Sequence, residues 1–297
     1  MVQGYTLTNK QDINAPIRVL LLGAESEIGA ALLELSIAQG DIEWVCPQES
    51  LLLESGAAEE LATMDYDVAI DALSLRYALQ GDYSKFQATL AGISESTSPL
   101  MMISSARVFS GDKSVPYLET DTPDSEEPYA QALIQSETLV AKNPANIILR
   151  TGWLFSGKGD DFVCRTLGLI QDGVNLAYKD NLLGSPTPVS DLARVILSLI
   201  KQRHYGASNT GVYHYCCAEE ISWVGLVEAI LVTSSQFDPK AQLEVETLEG
   251  VFSEEDGVVV QIKRQSLSCR KIFNHYGVKQ RPWRSVLRNL VRELYKS

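Results

Sequence analysis

A turn of small residues, Gly23-Ala-Glu-Ser26-Glu-Ile-Gly29, lies between an apolar run and a helical pattern. Small residues let backbone N–H groups and the N-terminus of the following helix approach a diphosphate. Ser26 stands where such turns often have a middle glycine, and a serine suits the turn only if its φ is negative. The pattern predicts a dinucleotide-binding turn, or alternatively a strand–helix turn that no longer binds a nucleotide. Its predicted contacts are Gly23, Ser26, Glu27, Ile28 and Gly29.

The hydroxyl side chains of Ser105 and Tyr129, 24 positions apart, could transfer a proton. An isolated tyrosine has a pKa of about 10, so it needs a nearby cation to act as an acid or base near neutrality. Position 133 lies one helical turn beyond Tyr129 on the same face, and Leu133 carries no charge there. Arg107 is a candidate substitute, with a surface role as the alternative. The pair therefore predicts either a weakened site or inherited hydroxyls without present chemistry.

Alternating strands and helices must position these residues. Apolar runs predict strands at 17–22, 42–46, 67–71, 100–104, 146–150 and 211–215. Helical spacing predicts helices at 28–39, 83–93, 128–141, 190–201, 222–232 and 282–296, whereas 236–256 is acidic and weakly patterned. This alternation predicts an α/β fold, a Rossmann-type doubly wound parallel sheet. We assign 17–150 and a return segment at 187–218 to that domain, and 151–186 with 219–297 to a smaller C-terminal substrate-binding lobe.

The composition excludes several classes of partner. The formal net charge of −13 argues against nucleic acid and anionic membranes as partners. The five cysteines have no zinc-binding spacing, so we expect no metal, reduced thiols and a cytoplasmic location. Residues 1–16 are polar and do not resemble a signal peptide, and no apolar run is long enough to span a membrane.

The region after the second predicted strand bears on the choice of dinucleotide. An acidic residue there favours NAD, and a nearby basic residue favours NADP. The sequence has no lysine or arginine between Arg18 and Arg76, and Glu49 could reach a ribose. The expected cofactor is thus NAD or NADP, with NAD slightly favoured.

Several segments together resemble the dTDP-4-dehydrorhamnose reductase branch of the extended short-chain dehydrogenases, an epimerase/dehydratase-like group. Ile-Ser-Ser-Ala-Arg-Val-Phe-Ser-Gly at 103–111 is similar to that branch's Ile-Ser-Thr-Asp-Tyr-Val-Phe-Asp-Gly. Further similar segments lie, in the family's order, at 116–123, 148–155, 180–187, 191–193, 211–214, 222–223 and 282–284. The resemblance covers about residues 17 to 290.

The resemblance implies roles for individual residues. In the family, a tyrosine protonates a sugar ketone as hydride arrives from the nicotinamide, a serine or threonine polarises the ketone, and a lysine follows the tyrosine by four positions. These roles fall on Tyr129, Ser105 and Leu133. The resemblance also places cofactor contacts at Ala72 and Leu73, and a substrate pocket at Trp153 and Ser185. For Trp153, a place in the core is the alternative.

Three functions remain open at this point. The first is a nicotinamide-dependent reductase of a nucleotide-linked sugar with impaired or lost activity, and the second is the same reductase in active form. The third is a non-catalytic regulatory or scaffold protein, because the branch is also similar to the regulatory subunit of methionine adenosyltransferase. The expected partner is a small-molecule nucleotide sugar, with a homodimer or a regulated partner enzyme as further alternatives.

Overall fold

The computed structural model describes residues 15–37, 40–80, 83–159, 161–241, 245–248 and 263–296. Most of the polar N-terminal segment, the end of the helix predicted at 28–39 and much of the acidic 236–256 segment lie outside the described residues. Along the chain, the strands are β1 (Ile17–Leu22), β2 (Ile42–Val45), β3 (Val68–Asp71), β4 (Leu100–Ser105), β5 (Ile147–Thr151), β6 (Trp153–Phe155), β7 (Leu176–Lys179), β8 (Leu182–Gly184), β9 (Pro186–Pro188), β10 (Gly211–Tyr215), β11 (Ile221–Ser222), β12 (Val245–Leu248) and β13 (Lys263–Arg264).

The helices alternate with these strands. They are α1 (Glu27–Ser36), α2 (Ala57–Ala62), α3 (Ser74–Gln80), α4 (Ser84–Ser94), α5 (Pro128–Val140), α6 (Phe162–Gln171), α7 (Val189–His204), α8 (Trp223–Ser234), α9 (Arg270–Tyr276) and α10 (Arg284–Leu294). Short 3₁₀ turns at Leu51–Leu53, Ala106–Val108 and Pro239–Ala241 complete the set.

The central sheet has six parallel strands in the order β10-β5-β4-β3-β1-β2. The predicted α/β fold with a doubly wound parallel sheet is therefore confirmed. β1 pairs with β2 on one side and with β3 on the other, so the strand order reverses between β1 and β3. In open parallel sheets, ligands bind at the carboxyl ends of the strands next to such a reversal. The turn after β1 and the residues after β3 meet at this point.

Two hydrophobic cores hold the molecule together. The first contains the buried faces of the six-stranded sheet and the helices packed on it, including α7 and α9. The second is built from residues of β6, α6, α8 and α10, around Trp153 and Trp283. The two-part division stays a prediction. Residues assigned to the lobe pack in the first core, namely Leu267, Cys269, Ile272, Tyr276 and Val278, and Cys217, assigned to the sheet domain, packs in the second.

Side chains occupy the outer edge of β10, the last strand of the sheet. The Lys271 ammonium donates to the Val212 carbonyl oxygen over 2.7 Å. The His214 N–H donates to Glu119 Oε1 over 3.2 Å, and the Cys216 N–H, just beyond the strand, donates to Cys269 Sγ over 3.3 Å. Three backbone groups that point away from β5 therefore have side-chain partners.

None of the helices in the described part of the chain is both long enough and apolar enough to cross a membrane.

Candidate functional site

Ser26 organises the turn between β1 and α1. It caps α1 with a φ of −69°, the negative value that a serine needs at this position. Its Oγ accepts a hydrogen bond from the Gly29 N–H over 3.0 Å and donates one to the Gly23 carbonyl over 2.7 Å. The Ser26 hydroxyl thus links the start and the end of the turn, at the position where such turns often have a middle glycine.

Both glycines of the turn are required by packing alone. Gly23 has a φ of +98°, and a Cβ there would lie 2.4 Å from Leu73 Cγ. A Cβ on Gly29 would lie 2.0 Å from the Gly23 carbonyl oxygen. The turn therefore has structural reasons for its glycines whether or not a nucleotide binds.

The N-terminus of α1 still fits a diphosphate. The first N–H groups of a helix have no acceptor within the helix, and Ser26 caps only the N–H of Gly29. The N–H groups of Glu27 and Ile28 remain at the helix end, where the helix dipole favours an anion. The Glu27 side chain extends partly into solvent. Partial burial of its carboxylate raises the pKa, and a hydrogen bond from Ser156 opposes that rise.

Glu49, for which the sequence suggested a ribose role, has its side-chain partners on α3. Its carboxylate pairs with the Arg76 guanidinium and accepts a hydrogen bond from the Tyr77 hydroxyl at 2.5 Å. Burial alone would raise the pKa of Glu49, but the Tyr77 and Arg76 contacts lower it. Arg76 thereby brings a cation to the segment after β2, where the local sequence contains none.

Ser105, Tyr129 and Arg107 come together at the carboxyl end of β4. Ser105 ends the strand, and Tyr129 lies in the first turn of α5 and is hydrogen-bonded to the Ser105 hydroxyl. The Arg107 guanidinium carbon lies 4.3 Å from the centre of the Tyr129 ring, and Glu127 holds that guanidinium at 2.6 Å. Burial raises the pKa of Tyr129, and the charge of Arg107 partly opposes that rise.

Leu133 lies one turn further along α5. Its side chain is 0% exposed and packs in the first hydrophobic core. A residue so enclosed cannot donate a hydrogen bond to a cofactor ribose or place a charge beside Tyr129. The position of the family's lysine is therefore filled by apolar packing.

Asp71, at the end of β3, forms a buried polar cluster that the sequence did not indicate. Its carboxylate is 0% exposed and accepts hydrogen bonds from the N–H groups of Leu73 and Ser74, at 2.9 and 3.0 Å. The Ser74 hydroxyl also donates to it, and Tyr83 donates to Ser74 Oγ over 2.8 Å. Burial without a cation raises the pKa of Asp71 to about 6. The cluster joins the end of β3, the start of α3 and Tyr83 before α4, which follow one another within 13 residues of the chain.

Glu137, two turns beyond Tyr129 on α5, forms a second buried polar cluster. Arg150 on β5 pairs with it through Nη2 at 2.6 Å and Nε at 2.9 Å, and the Ser104 hydroxyl donates to it over 2.6 Å. Burial and the charge of Arg150 lower the pKa of His214 to about 3, so this ring is neutral. The cluster joins α5 to β4 and β5 directly beneath Ser105.

The predicted substrate residues Trp153 and Ser185 are joined to each other, because the Trp153 N–H donates to the Ser185 carbonyl over 3.0 Å. Trp153 is 9% exposed and stacks on Trp223 with ring centres 4.0 Å apart, while a Cβ on Gly184 would lie 2.2 Å from its ring. Trp153 is therefore enclosed in the second core. Ser185 lines a cleft of about 920 Å³ whose walls come from loop 115–118, from 217–220 and from 266–280.

No group of three or more histidine, cysteine, aspartate or glutamate side chains among the described residues is arranged to hold a metal ion. His204, His214 and His275 lie apart, and the latter two contact Tyr117 and Tyr213 respectively. The ionisable groups near Ser105 and Tyr129 are paired with protein groups: Arg107 with Glu127, and Glu137 with Arg150.

Comparisons with known proteins agree with this geometry. A dTDP-4-dehydrorhamnose reductase of Aggregatibacter actinomycetemcomitans is 25% identical over 291 residues, which cover 92% of this chain and 98% of the relative. One from Sinorhizobium fredii is 26% identical over 196 residues, 65% of each chain, so the match spans just under two thirds of that relative. The dTDP-4-dehydrorhamnose reductase of Bacillus anthracis, solved in complex with NADP, superposes with a TM-score of 0.75 at 19% identity and covers 94% of this chain and 98% of its own.

The family described as the RmlD substrate binding domain matches residues 61–296, from α2 to the end of the described chain. This span includes Ser105, Tyr129, Leu133 and Arg150. The chain belongs to the RmlD substrate binding domain family, on a fold shared with dTDP-4-dehydrorhamnose reductases and sugar-nucleotide epimerases.

Proposed function

We propose that this protein binds a nicotinamide dinucleotide and a nucleotide-linked sugar, and that its 4-keto-sugar reductase activity is strongly impaired. The observation that carries the proposal is the complete burial of Leu133 where the family has its lysine. Loss of one preorganised polar group of this kind costs about 10²–10³ in rate. The proposed site keeps the hydroxyl pair of the family and lacks the cation on the facing turn of α5.

In the proposed site, Tyr129 is the proton donor and Ser105 orients the carbonyl oxygen that receives the proton. A bound nicotinamide supplies the hydride. Arg107 offers a cation to the Tyr129 ring face, where it opposes the rise in the pKa of the phenol. Because Arg107 lies at the surface and is paired with Glu127, its charge is screened by solvent and only partly replaces a lysine.

The proposed dinucleotide site combines the N-terminus of α1 with the segment after β3. Gly23, Ser26 and Gly29 form the turn, the N–H groups of Glu27 and Ile28 face a diphosphate, and Ala72 and Leu73 adjoin it. The sequence alone favoured NAD slightly, for want of a local cation. Arg76 supplies a cation beside Glu49, so we propose that both NAD and NADP bind. None of the five cysteines, all of which lie in the described part of the chain, forms a disulfide, which suits the reducing cytoplasm.

Single-turnover hydride transfer tests this proposal. Purified protein is mixed with NADH or NADPH and a dTDP-4-keto sugar, and nicotinamide absorbance is followed. We expect a rate at least about 10²-fold below that of a reductase carrying the family's lysine. Tyr129→Phe should abolish the residual rate, while Tyr205→Phe, an exposed tyrosine at the end of α7, should leave it unchanged. Rapid turnover that survives Tyr129→Phe would show that other residues do the chemistry.

Leu133→Lys tests the same position from the other direction. With cofactor bound, an amine there should raise the single-turnover rate by about 10²-fold. The substitution should also lower the free energy of unfolding of the unliganded protein, because it buries an ammonium among apolar side chains. Leu133→Met is the matched control, since it fills similar volume without charge. An unchanged rate in a folded Leu133→Lys protein would mean that the missing cation is not what limits transfer.

A regulatory or scaffold protein is the second candidate. The observation that favours it is that Leu73 packs onto Gly23, so the glycines of the turn are needed even without a nucleotide. Titration calorimetry with NADH, NADPH and dTDP-sugars separates the two candidates. Binding of a dinucleotide supports the impaired reductase, whereas no binding of any of them supports the scaffold, whose partner would then be a protein such as a regulated enzyme or a second copy of the chain.

A further inference from the structure

Two buried cysteines face each other across the wall of the 920 Å³ cleft. Cys216 follows β10 and Cys269 precedes α9, and their sulfur atoms lie 3.7 Å apart. Both are nearly inaccessible, at 1% and 6% exposure. Their neighbour Cys217 points elsewhere, toward the Asp191 carboxylate at 3.4 Å. The chain thus contains a specific pair of thiols in contact.

The two thiols differ in chemical character. The two sulfur atoms share a hydrogen bond in which either thiol can be the donor. Contact with Cys269 lowers the pKa of Cys216, burial opposes this, and Ser185 and Gln280 lower it further. The same contact, together with burial, raises the pKa of Cys269. A thiolate is the form that attacks peroxides and disulfides. The direction of these pKa shifts favours Cys216 as the nucleophile, and the 3.7 Å contact places Cys269 to resolve its oxidation product.

The cleft gives a small oxidant access to the pair. Cys269 lines the cleft directly, as do Ser185 and Gln280, both of which contact Cys216. A molecule the size of hydrogen peroxide can therefore approach Cys269 from this side, and Cys216 lies behind Cys269, Ser185 and Gln280.

We propose that Cys216 and Cys269 are a thiol modification site, which a hydroperoxide converts into a reversible intramolecular disulfide. The Cys216 thiolate attacks one peroxide oxygen; an S–O bond forms, the O–O bond breaks, and hydroxide leaves. The Cys269 sulfur then attacks Cys216, the S–O bond breaks, and hydroxide leaves with the thiol proton as water. Two thiols lose two electrons and two protons, and hydrogen peroxide becomes two molecules of water.

The disulfide would change the cleft wall. The sulfur atoms must approach from 3.7 Å to about 2.05 Å. Cys269 Sγ also accepts a hydrogen bond from the Cys216 N–H, so formation of the disulfide would change that hydrogen bond as well. The proposed switch therefore acts where the end of β10 meets the start of α9, beside Ser185. It does not depend on whether the protein is a reductase.

Peptide mass spectrometry of the full-length protein tests the proposal. The protein is treated with about equimolar hydrogen peroxide, its free thiols are alkylated under denaturing conditions, and the digest is analysed. We expect a linked Cys216–Cys269 peptide, loss of two of the five free thiols and their recovery with dithiothreitol. Five thiols remaining, irreversible oxidation, or a link through Cys46, Cys164 or Cys217 would overturn the proposal.

Three variants check the assigned roles. Cys269→Ser should leave a sulfenic acid on Cys216 that dimedone labels, and Cys216→Ser should abolish both the label and the link. Cys217→Ser, the matched control, should form the disulfide as the wild type does. Dimedone labelling at Cys269 in the Cys216→Ser protein would contradict the assigned nucleophile. If a variant fails to fold, the wild-type peptide map and the order in which its thiols react decide the question.

Discussion

Asp71 at the end of β3 and Glu137 on α5 are two buried carboxylates, and they are stabilised differently. Asp71 is held by two backbone N–H groups and the Ser74 hydroxyl, and its pKa is raised to about 6. Glu137 is held by the Arg150 guanidinium at 2.6 Å. Neutral donors satisfy a carboxylate without balancing its charge, whereas a guanidinium does both.

The difference separates a titratable site from a fixed one. The Glu137 pair ties α5 to β5 directly beneath Ser105 and so fixes the helix that carries Tyr129. The Asp71 cluster caps α3 at the strand reversal, beside the predicted cofactor contacts Ala72 and Leu73. The buried Glu137 carboxylate near Ser105 and Tyr129 thus has a counter-charge. The buried Asp71 carboxylate beside the predicted cofactor contacts has none, and its ionisation changes near pH 6.

Removing the cation of the compensated pair should have the largest effect. Arg150→Met leaves the Glu137 carboxylate buried without a counter-charge, so we expect a loss of about 3–5 kcal/mol in the free energy of unfolding. Urea titration measures it. The double variant Glu137→Leu/Arg150→Met should lose much less, because it leaves no unpaired charge. Equal losses in the single and double variants would mean that packing, not charge, governs this region.

Replacing the uncompensated carboxylate should change the pH dependence of stability. In the unfolded chain Asp71 loses its proton near pH 3.9, whereas the folded protein keeps it until about pH 6. The folded state therefore binds more protons between these values, and the free energy of unfolding falls as pH rises through them, by about 3 kcal/mol. Asp71→Asn should remove this component. Urea titrations of both proteins at pH 4 and pH 7 measure it; identical pH dependence would contradict the assignment.

The smallest effect should come from the edge of the Asp71 cluster. Tyr83→Phe removes the hydrogen bond to Ser74 Oγ and should cost about 1 kcal/mol of unfolding free energy. Tyr205→Phe, at an exposed position, is the control and should be neutral. A loss comparable with that of Arg150→Met would show that the Asp71 cluster is as strongly coupled as the compensated pair.

The sequence predicted the elements that have a local signal. The apolar runs of β1 and β10 and the Pro128 start of α5 were predicted at the observed positions, because buried parallel strands and helix starts depend on adjacent residues. The short strands β6 to β9 and helix α6 were missed. These strands pair over only two to four residues with partners distant in sequence, as between Trp153 on β6 and Pro186 on β9, and leave little periodicity to detect.

For the candidate site, the sequence located the hydroxyl pair and the substituted lysine position, but not their surroundings. The resemblance of 103–111 and of α5 to family motifs was enough to pair Ser105 with Tyr129. The burial of Leu133 and the Asp71–Ser74–Tyr83 cluster depend on how α3, α4 and α5 pack together, which no local pattern encodes. Asp71 at the end of a strand, three positions before a serine, was the one available signal.

The side chains along the outer edge of β10 have a consequence for self-association. An open strand at the end of a sheet offers unpaired N–H and C=O groups to any other extended chain, which is a route to aggregation and strand exchange. Here the Lys271 ammonium donates a hydrogen bond to the Val212 carbonyl, and the Glu119 carboxylate accepts one from the His214 N–H. A second molecule would have to displace both charged groups before it could add a strand. This edge is therefore closed to continuous sheet formation between copies.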